Sequence, residues 1–203
     1  MKRPLPYAII MLVLAGCASM PELDEPEIIP VAVATYKAGE LGSKASGLAV
    51  TLDVTDCVEA ALLVSKGAFG GSSVEAYYPV RRVIEREFAR VIDDNFHQTE
   101  FGEETGLFLS VTTMRVLLTK RMGKVSSDVS LAIRILHPDG TRAPLFRKTY
   151  RAQSSGPAND DETIPLCFYE AVQRIAEDFS VDISTNWNLV SYFEAKAKKG
   201  PQQ

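Results

Sequence analysis

Between Leu107 and Ile135 the sequence alternates apolar and other residues over two successive runs, and within the first run the alternation changes step. Leu107, Leu109 and Val111 hold one parity; Met114, Val116 and Leu118 hold the other. Period-two spacing sends alternate side chains to opposite faces of a strand. A one-residue switch therefore predicts a β-bulge, an extra residue that flips the facing of everything after it. Lys120 to Lys124, with Gly123, makes a basic turn, and Val129, Leu131, Ile133 and Ile135 alternate up to the turn signal His137-Pro138-Asp139-Gly140. Leu145 to Ala152 returns as a last strand, with Pro144 placing its start at an edge. Three strands joined this way form an antiparallel meander, and its apolar face needs a covering layer.

Two amphipathic segments supply that layer. In Pro79 to Phe96, Val80, Val83, Ile84, Phe88, Val91 and Ile92 fall three and four apart, with Arg81, Arg82, Glu85, Arg86 and Arg90 on the other side. Ser72-Ser73-Val74-Glu75 has the letters of a capping box. Pro79, however, prefers a first-turn position and inside a helix would cost about 3 kcal/mol, so a start near Tyr78 is expected. A second helix is expected from Thr163 to Ile183, with Glu170 and Arg174 one turn apart and able to pair. Upstream, Leu48, Val50, Leu52 and Val54 alternate as a first strand. The expected fold is α+β: a two-layer sandwich, mainly antiparallel, of about four strands with two main helices on one face. Trp187 to Ala197 reads as a short third helix before a basic end.

The N-terminus follows a different grammar. Lys2 and Arg3 precede the apolar run Tyr7 to Leu14, and the small residues Ala15 and Gly16 precede Cys17. This is the order of a signal peptide, and the run is far short of the ~20 residues that a permanent membrane helix needs. Leu14-Ala15-Gly16-Cys17 resembles the lipobox of bacterial lipoproteins. That resemblance implies cleavage after Gly16 and acylation of Cys17, the membrane being reached through N-terminal acyl chains. Ala18 and Ser19 follow, without the Asp that marks inner-membrane retention in enteric bacteria, so the periplasmic face of the outer membrane is the implied location. The expected organisation is a leader at 1–16, a lipidated tether at 17–47, a periplasmic domain at 48–184, and a short helix and tail at 185–203. An alternative for the tether is an ordered first strand near Ile28 to Thr35.

Loss of residues 1–16 removes Lys2 and Arg3 and no acid, taking the formal charge from −4 to −6. An acidic balance argues against nucleic acid, which is bound through lysine and arginine. A hydrophobic content of 46% supports a real core.

The lipobox, a first strand ending "VTLDVTD", the helix "PVRRVIEREFARVI", the meander and the terminal helix together resemble the YajG family of bacterial lipoproteins. More loosely they are similar to the auxiliary lipoproteins of ABC-type lipid transport systems and to the lipopolysaccharide-assembly lipoprotein LptE. The resemblance spans roughly residues 13 to 183, and none of these families supplies an active site to carry over. It implies a non-enzymatic accessory or assembly component of a cell-envelope complex, with an envelope protein as partner, or else a lipid-transport subunit with an apolar groove between sheet and helices.

Once Cys17 is acylated, Cys57 and Cys167 remain, an even number in an oxidising compartment. They read either as a disulfide or as two separate buried thiols. A third reading makes Cys167 a nucleophile at a helix start, which needs a base from His97 or His137. Two histidines without a matching cysteine or carboxylate cluster point away from a metal site, and no cofactor is expected. Arg81 and Arg82 on the first helix, Lys120-Arg121-Lys124 in the turn, and Trp187 with Tyr192 and Phe193 are candidate partner-binding residues. Their alternatives are a solvated polar face for the charges and packing onto the sheet for the aromatics.

Overall fold

A strand that reverses its facing must bend, and in the computed structural model the whole sheet is arranged around that bend. The structure describes residues 49–66, 71–98, 106–137, 143–158 and 163–199. In chain order these form β1 (Ala49–Asp53), β2 (Ala60–Lys66), β3 (Ser72–Pro79), α1 (Val80–Asn95), β4 (His97–Gln98), β5 (Leu107–Arg121), β6 (Lys124–Leu136), β7 (Phe146–Pro157), α2 (Thr163–Thr185) and α3 (Trp187–Lys199). The class is α+β, as expected. The sheet is larger than the four expected strands, because β2, β3 and the two-residue β4 join it.

The long strand β5 is the axis. On one side β6 pairs with it from Phe108↔Leu136 to Arg121↔Lys124, and β7 continues the meander. The other side is shared: β1 runs parallel to residues 107–110, and β2 runs parallel to residues 118–121. The sheet thus forks, with β4 beyond β1 and β3 beyond β2. The expected bulge lies in the gap between the branches, where the β5–β6 register skips at Met114 between Thr113 and Arg115. A bulge bends its strand and sharpens the local twist, which lets the two branches diverge.

The connection from β1 to β2 crosses the gap. Asp53 Oδ1 accepts from the Thr55 backbone N–H at 3.0 Å and from its hydroxyl at 2.6 Å, and the Cys57 N–H closes a turn onto Val54 O at 2.9 Å. The N-terminus of α1 is satisfied by the same connection: the N–H groups of Val80 and Arg81 donate to Glu59 O at 2.9 and 3.3 Å. Pro79 is the N-cap residue and has no side-chain hydrogen bond. It ends β3 and begins the helix, so Ser72–Glu75 lies in a strand and forms no capping box.

Both main helices lie on one face of the sheet, the face to which Val125, Val129, Leu131, Ile133 and Ile135 of β6 contribute, all buried. α1 packs over β1, β2 and β4, and α2 packs over β6 and β7. At the centre the Phe179 ring meets Phe146 at 5.7 Å, Phe88 at 5.9 Å and Tyr150 at 6.3 Å. Aromatic pairs at such separations add ≈ 0.5–1.5 kcal/mol beyond the area they bury. α2 lies close to β7 at Gly156, where a Cβ would stand 3.1 Å from Thr163 Cγ2 and 3.4 Å from Cys167 Sγ. α3 lies in the segment read as a short helix and tail, and it contributes the fully buried Leu189 to the core. Among the described residues no helix is long and apolar enough to cross a membrane.

Candidate functional site

Cys17, its leader and the tether lie outside the described residues. Cys57 and Cys167 lie within them, and both are free and buried. Cys57 sits at the fork, its thiol donating to Val111 O at 3.2 Å. That carbonyl belongs to the stretch of β5 that neither branch reaches, and a buried acceptor needs such a partner. Cys167 sits in the first turns of α2, its carbonyl taking the Ser127 hydroxyl at 2.8 Å.

Ser127 is six residues along β6 from Ile133, the partner of Val111. The two cysteines are thus held about 20 Å apart along the sheet, by the strand rise. A disulfide needs Cα atoms within about 7 Å, so of the bridge and the two separate buried thiols, the structure has the separate thiols. Burial pushes both thiols up, and for Cys167 the Glu170 carboxylate adds to it. This is the opposite direction from an activated nucleophile. His137 stands at the far end of the sheet from Cys167, edge to face with Tyr192 at 5.3 Å. The side chains of His97 and Phe193 are outside the described set.

Arg81 is consumed by the fold. Its Nε and Nη2 donate to Cys57 O at 3.2 and 2.9 Å, Nη2 also reaches Thr55 O at 3.1 Å, and Nη1 pairs with Glu59. It clamps the β1–β2 connection, so the guanidinium expected to face a partner is engaged within the fold. Arg82, next along α1, is exposed. The expected Glu170–Arg174 pair does not form: Glu170 takes the Ser154 hydroxyl, and Arg174 donates to Gln153 O at 2.9 Å. The basic turn stands at the tip of the β5–β6 hairpin, with Met122 at its apex 72% exposed.

The feature that sequence reasoning missed is the face of β5, β6 and β7 opposite the core. Residues directly opposite one another share a face, and the register sets them in rows: Ser110–Arg134–Arg147, Thr112–Ala132–Thr149, Arg115–Ser130–Arg151 and Leu117–Asp128–Gln153. Four arginines therefore border a floor of hydroxyls and one alanine. Asp128 faces them as the one acid in these rows. It accepts from Arg151 Nε and Nη2 at 2.8 and 2.7 Å, with Arg115 at 3.7 Å. The hydrogen bond from Arg151 leads in holding its carboxyl below the usual range, and the charges of Arg151 and Arg115 add to it. Arg134 and Arg147 have no carboxylate partner among the described residues. Arg134 Nη2 reaches Thr112 Oγ1 at 3.5 Å, and its Nε is buried without a hydrogen-bond partner.

Arg147 also lines a groove of about 540 Å³ with Lys148, Asp182, Asn186 and Trp187. Asn186 makes its rim by capping α3, its Oδ1 accepting from the N–H groups of Asn188 at 3.1 Å and Leu189 at 3.2 Å. That cap sets Trp187 in the first turn, 76% exposed. Lys148 Nζ and the Tyr150 hydroxyl both reach Asp182 Oδ2 at 2.5 Å. Burial works against the Asp182 carboxylate, but these two hydrogen bonds outweigh it and hold its pKa below the usual value. This end of the sheet thus sets Arg134 and Arg147 beside an exposed indole. Among the described residues no group of three or more metal-ligating side chains occurs.

No protein-family model matches the chain. No curated protein matches it either. A solved structure from Xanthomonas campestris, of family DUF330, covers 76% of this chain and 90% of its own, with a TM-score of 0.54 at 12% identity. The two chains share a fold. At that identity the likeness speaks for architecture alone. Looser overlays are found with a minor lipoprotein from Acinetobacter baumannii (TM-score 0.43, 11% identity, 68% of this chain and 93% of that one). Uncharacterized lipoprotein B from Nitrosomonas europaea is similar to the same degree (TM-score 0.46, 10% identity, 76% and 94%).

Proposed function

We propose that this chain is a lipid-anchored envelope lipoprotein, held through Cys17 at the periplasmic face of the outer membrane, where it serves as a non-enzymatic accessory or assembly component of an envelope complex. The observation that carries the reading is the run from Lys2 and Arg3 through the short apolar stretch to Leu14-Ala15-Gly16-Cys17. One buried acyl chain gives only marginal membrane binding, whereas two or three hold firmly. The non-enzymatic part is supported by two thiols whose burial favours the protonated form.

The alternative, an auxiliary subunit of an ABC-type lipid transport system, called for an apolar groove between sheet and helices. That space is filled by the fully buried rings of Phe88, Phe168 and Phe179, so the alternative gains nothing from it. The assignment to a YajG-like family likewise rests on the order of elements and on the lipobox.

Radiolabelled palmitate is expected to enter the wild type and not a Cys17→Ala variant; equal labelling of both would end the lipoprotein reading. A photocrosslinker at position 187 is expected to capture an envelope protein. Capture of transporter subunits would favour the alternative.

A further inference from the structure

The open sheet face carries an electrostatic arrangement that the fold does not need. Arg134 and Arg147 stand directly opposite one another on β6 and β7, and like charges at such positions destabilise a sheet. The described residues bring them no carboxylate, and the Arg134 Nε is buried without a partner. A buried donor left unsatisfied is costly. Guanidinium forks match the oxygens of phosphate in charge and in geometry. The Thr112 hydroxyl beside Arg134 adds a further polar contact.

Two further features specify what brings the phosphate. Trp187 is exposed on the groove that Arg147 also lines, and an indole with one apolar and one polar side settles at the headgroup level of a membrane. Position along the sheet agrees with this. β1 runs parallel to β5 with Val50 beside Leu107, while Leu136 pairs with Phe108 and Phe146 pairs with Ile135. Ala49 therefore starts β1 at the same end as Arg134, Arg147 and Trp187. Cys17 is 32 residues before Ala49, a stretch that reaches at most ~110 Å. An anchor at Cys17 would keep this end of the domain at high effective concentration near the leaflet.

We propose that this end of the sheet, from the Arg134–Arg147 pair to Trp187, docks on the phosphates of an anionic phospholipid surface. The effective-concentration step rests on the lipid-anchor reading; the arginine–phosphate step does not. Once docked, the domain would lie against its own membrane, with the β5–β6 hairpin tip directed away from it.

Trp187 is the only tryptophan, so its emission reports on this surface alone. The test uses the full chain carrying Cys17→Ala, with the leader common to every arm, and phosphatidylglycerol-containing or pure phosphatidylcholine vesicles. Anionic vesicles are expected to shift Trp187 emission to the blue and neutral vesicles are not. Molar salt, which shortens the Debye length from about 10 Å to about 3 Å, should reverse the shift. Arg134→Gln with Arg147→Gln should weaken vesicle affinity about 30-fold, and Arg121→Gln with Lys124→Gln at the hairpin tip should leave it within about threefold. Circular dichroism checks that each variant is folded.

An unshifted Cys17→Ala parent overturns the proposal, and so does a loss of affinity that follows the tip pair instead. Inorganic phosphate that protects the arginine pair while vesicles give no response would point to a free anion, and polyglutamate that binds where vesicles fail would point to an acidic protein; either outcome rejects the membrane. Palmitate labelling is scored separately. Vesicle binding without labelling leaves the docking standing and removes the anchor, and labelling without vesicle binding does the reverse.

Discussion

The guanidinium of Arg81 makes three hydrogen bonds to the carbonyls of Thr55 and Cys57, on a connection that has no strand ladder of its own. Arg81→Met leaves those acceptors to water or unpaired, at an expected cost of about 1–3 kcal/mol. The loss should be read as a lower urea midpoint at unchanged slope. Arg82→Met, one residue on and exposed, should stay within about 0.5 kcal/mol. The cysteines give a second expectation at this scale. Cys57 and Cys167 are buried, and burial raises both thiols. In the folded protein carrying Cys17→Ala, an alkylating agent near neutral pH should modify neither, and after denaturation both, without a reductant. Mass spectrometry counts the adducts, and one adduct per chain in the folded state would contradict the burial of one thiol.

The β5–β6 hairpin turns through Met122 and Gly123, with φ of 49° and 73° between the paired residues Arg121 and Lys124. Two positive φ values in a two-residue loop are what a type I′ turn demands, and Asn-Gly is its preferred sequence. Met122→Asn should therefore stabilise the protein by about 1 kcal/mol, seen as a raised melting temperature; a fall would show that the Met122 side chain has a packing role. The bend further down β5 could be read in advance because a bulge leaves a mark on one strand alone, the parity switch around Met114. β2 leaves no such mark. Ala61, Leu62, Leu63 and Val64 form an unbroken apolar run, and Leu62 is 40% exposed although β2 is paired on both sides. β3 begins in letters that also spell a capping box. The arginine pair was hidden for a different reason: each residue sits in the polar phase of its own strand, and only the β6–β7 register sets them opposite each other.

At the scale of the whole molecule, Asp128 ties the three strands of the meander together through Arg151 and Arg115, and pH should test it. The folded-state pKa of Asp128 lies below its ordinary 3.8. Its contribution is then complete above that value and is lost as pH falls through the lower, folded-state one. The stability difference between wild type and Asp128→Asn should shrink from about pH 6 to about pH 3; a constant difference in urea midpoint would remove the ion pairs from the account. The fork has a mechanical consequence if the domain is held through Cys17 as proposed. Tension arriving through Ala49 pulls along β1, which lies between β4 and the first residues of β5 and is hydrogen-bonded parallel to both. Those bonds are loaded side by side in shear instead of being peeled one at a time. A single-molecule pull from the N-terminus should give one abrupt rupture, whereas a pull on β7, the outermost strand of the meander, should unzip gradually.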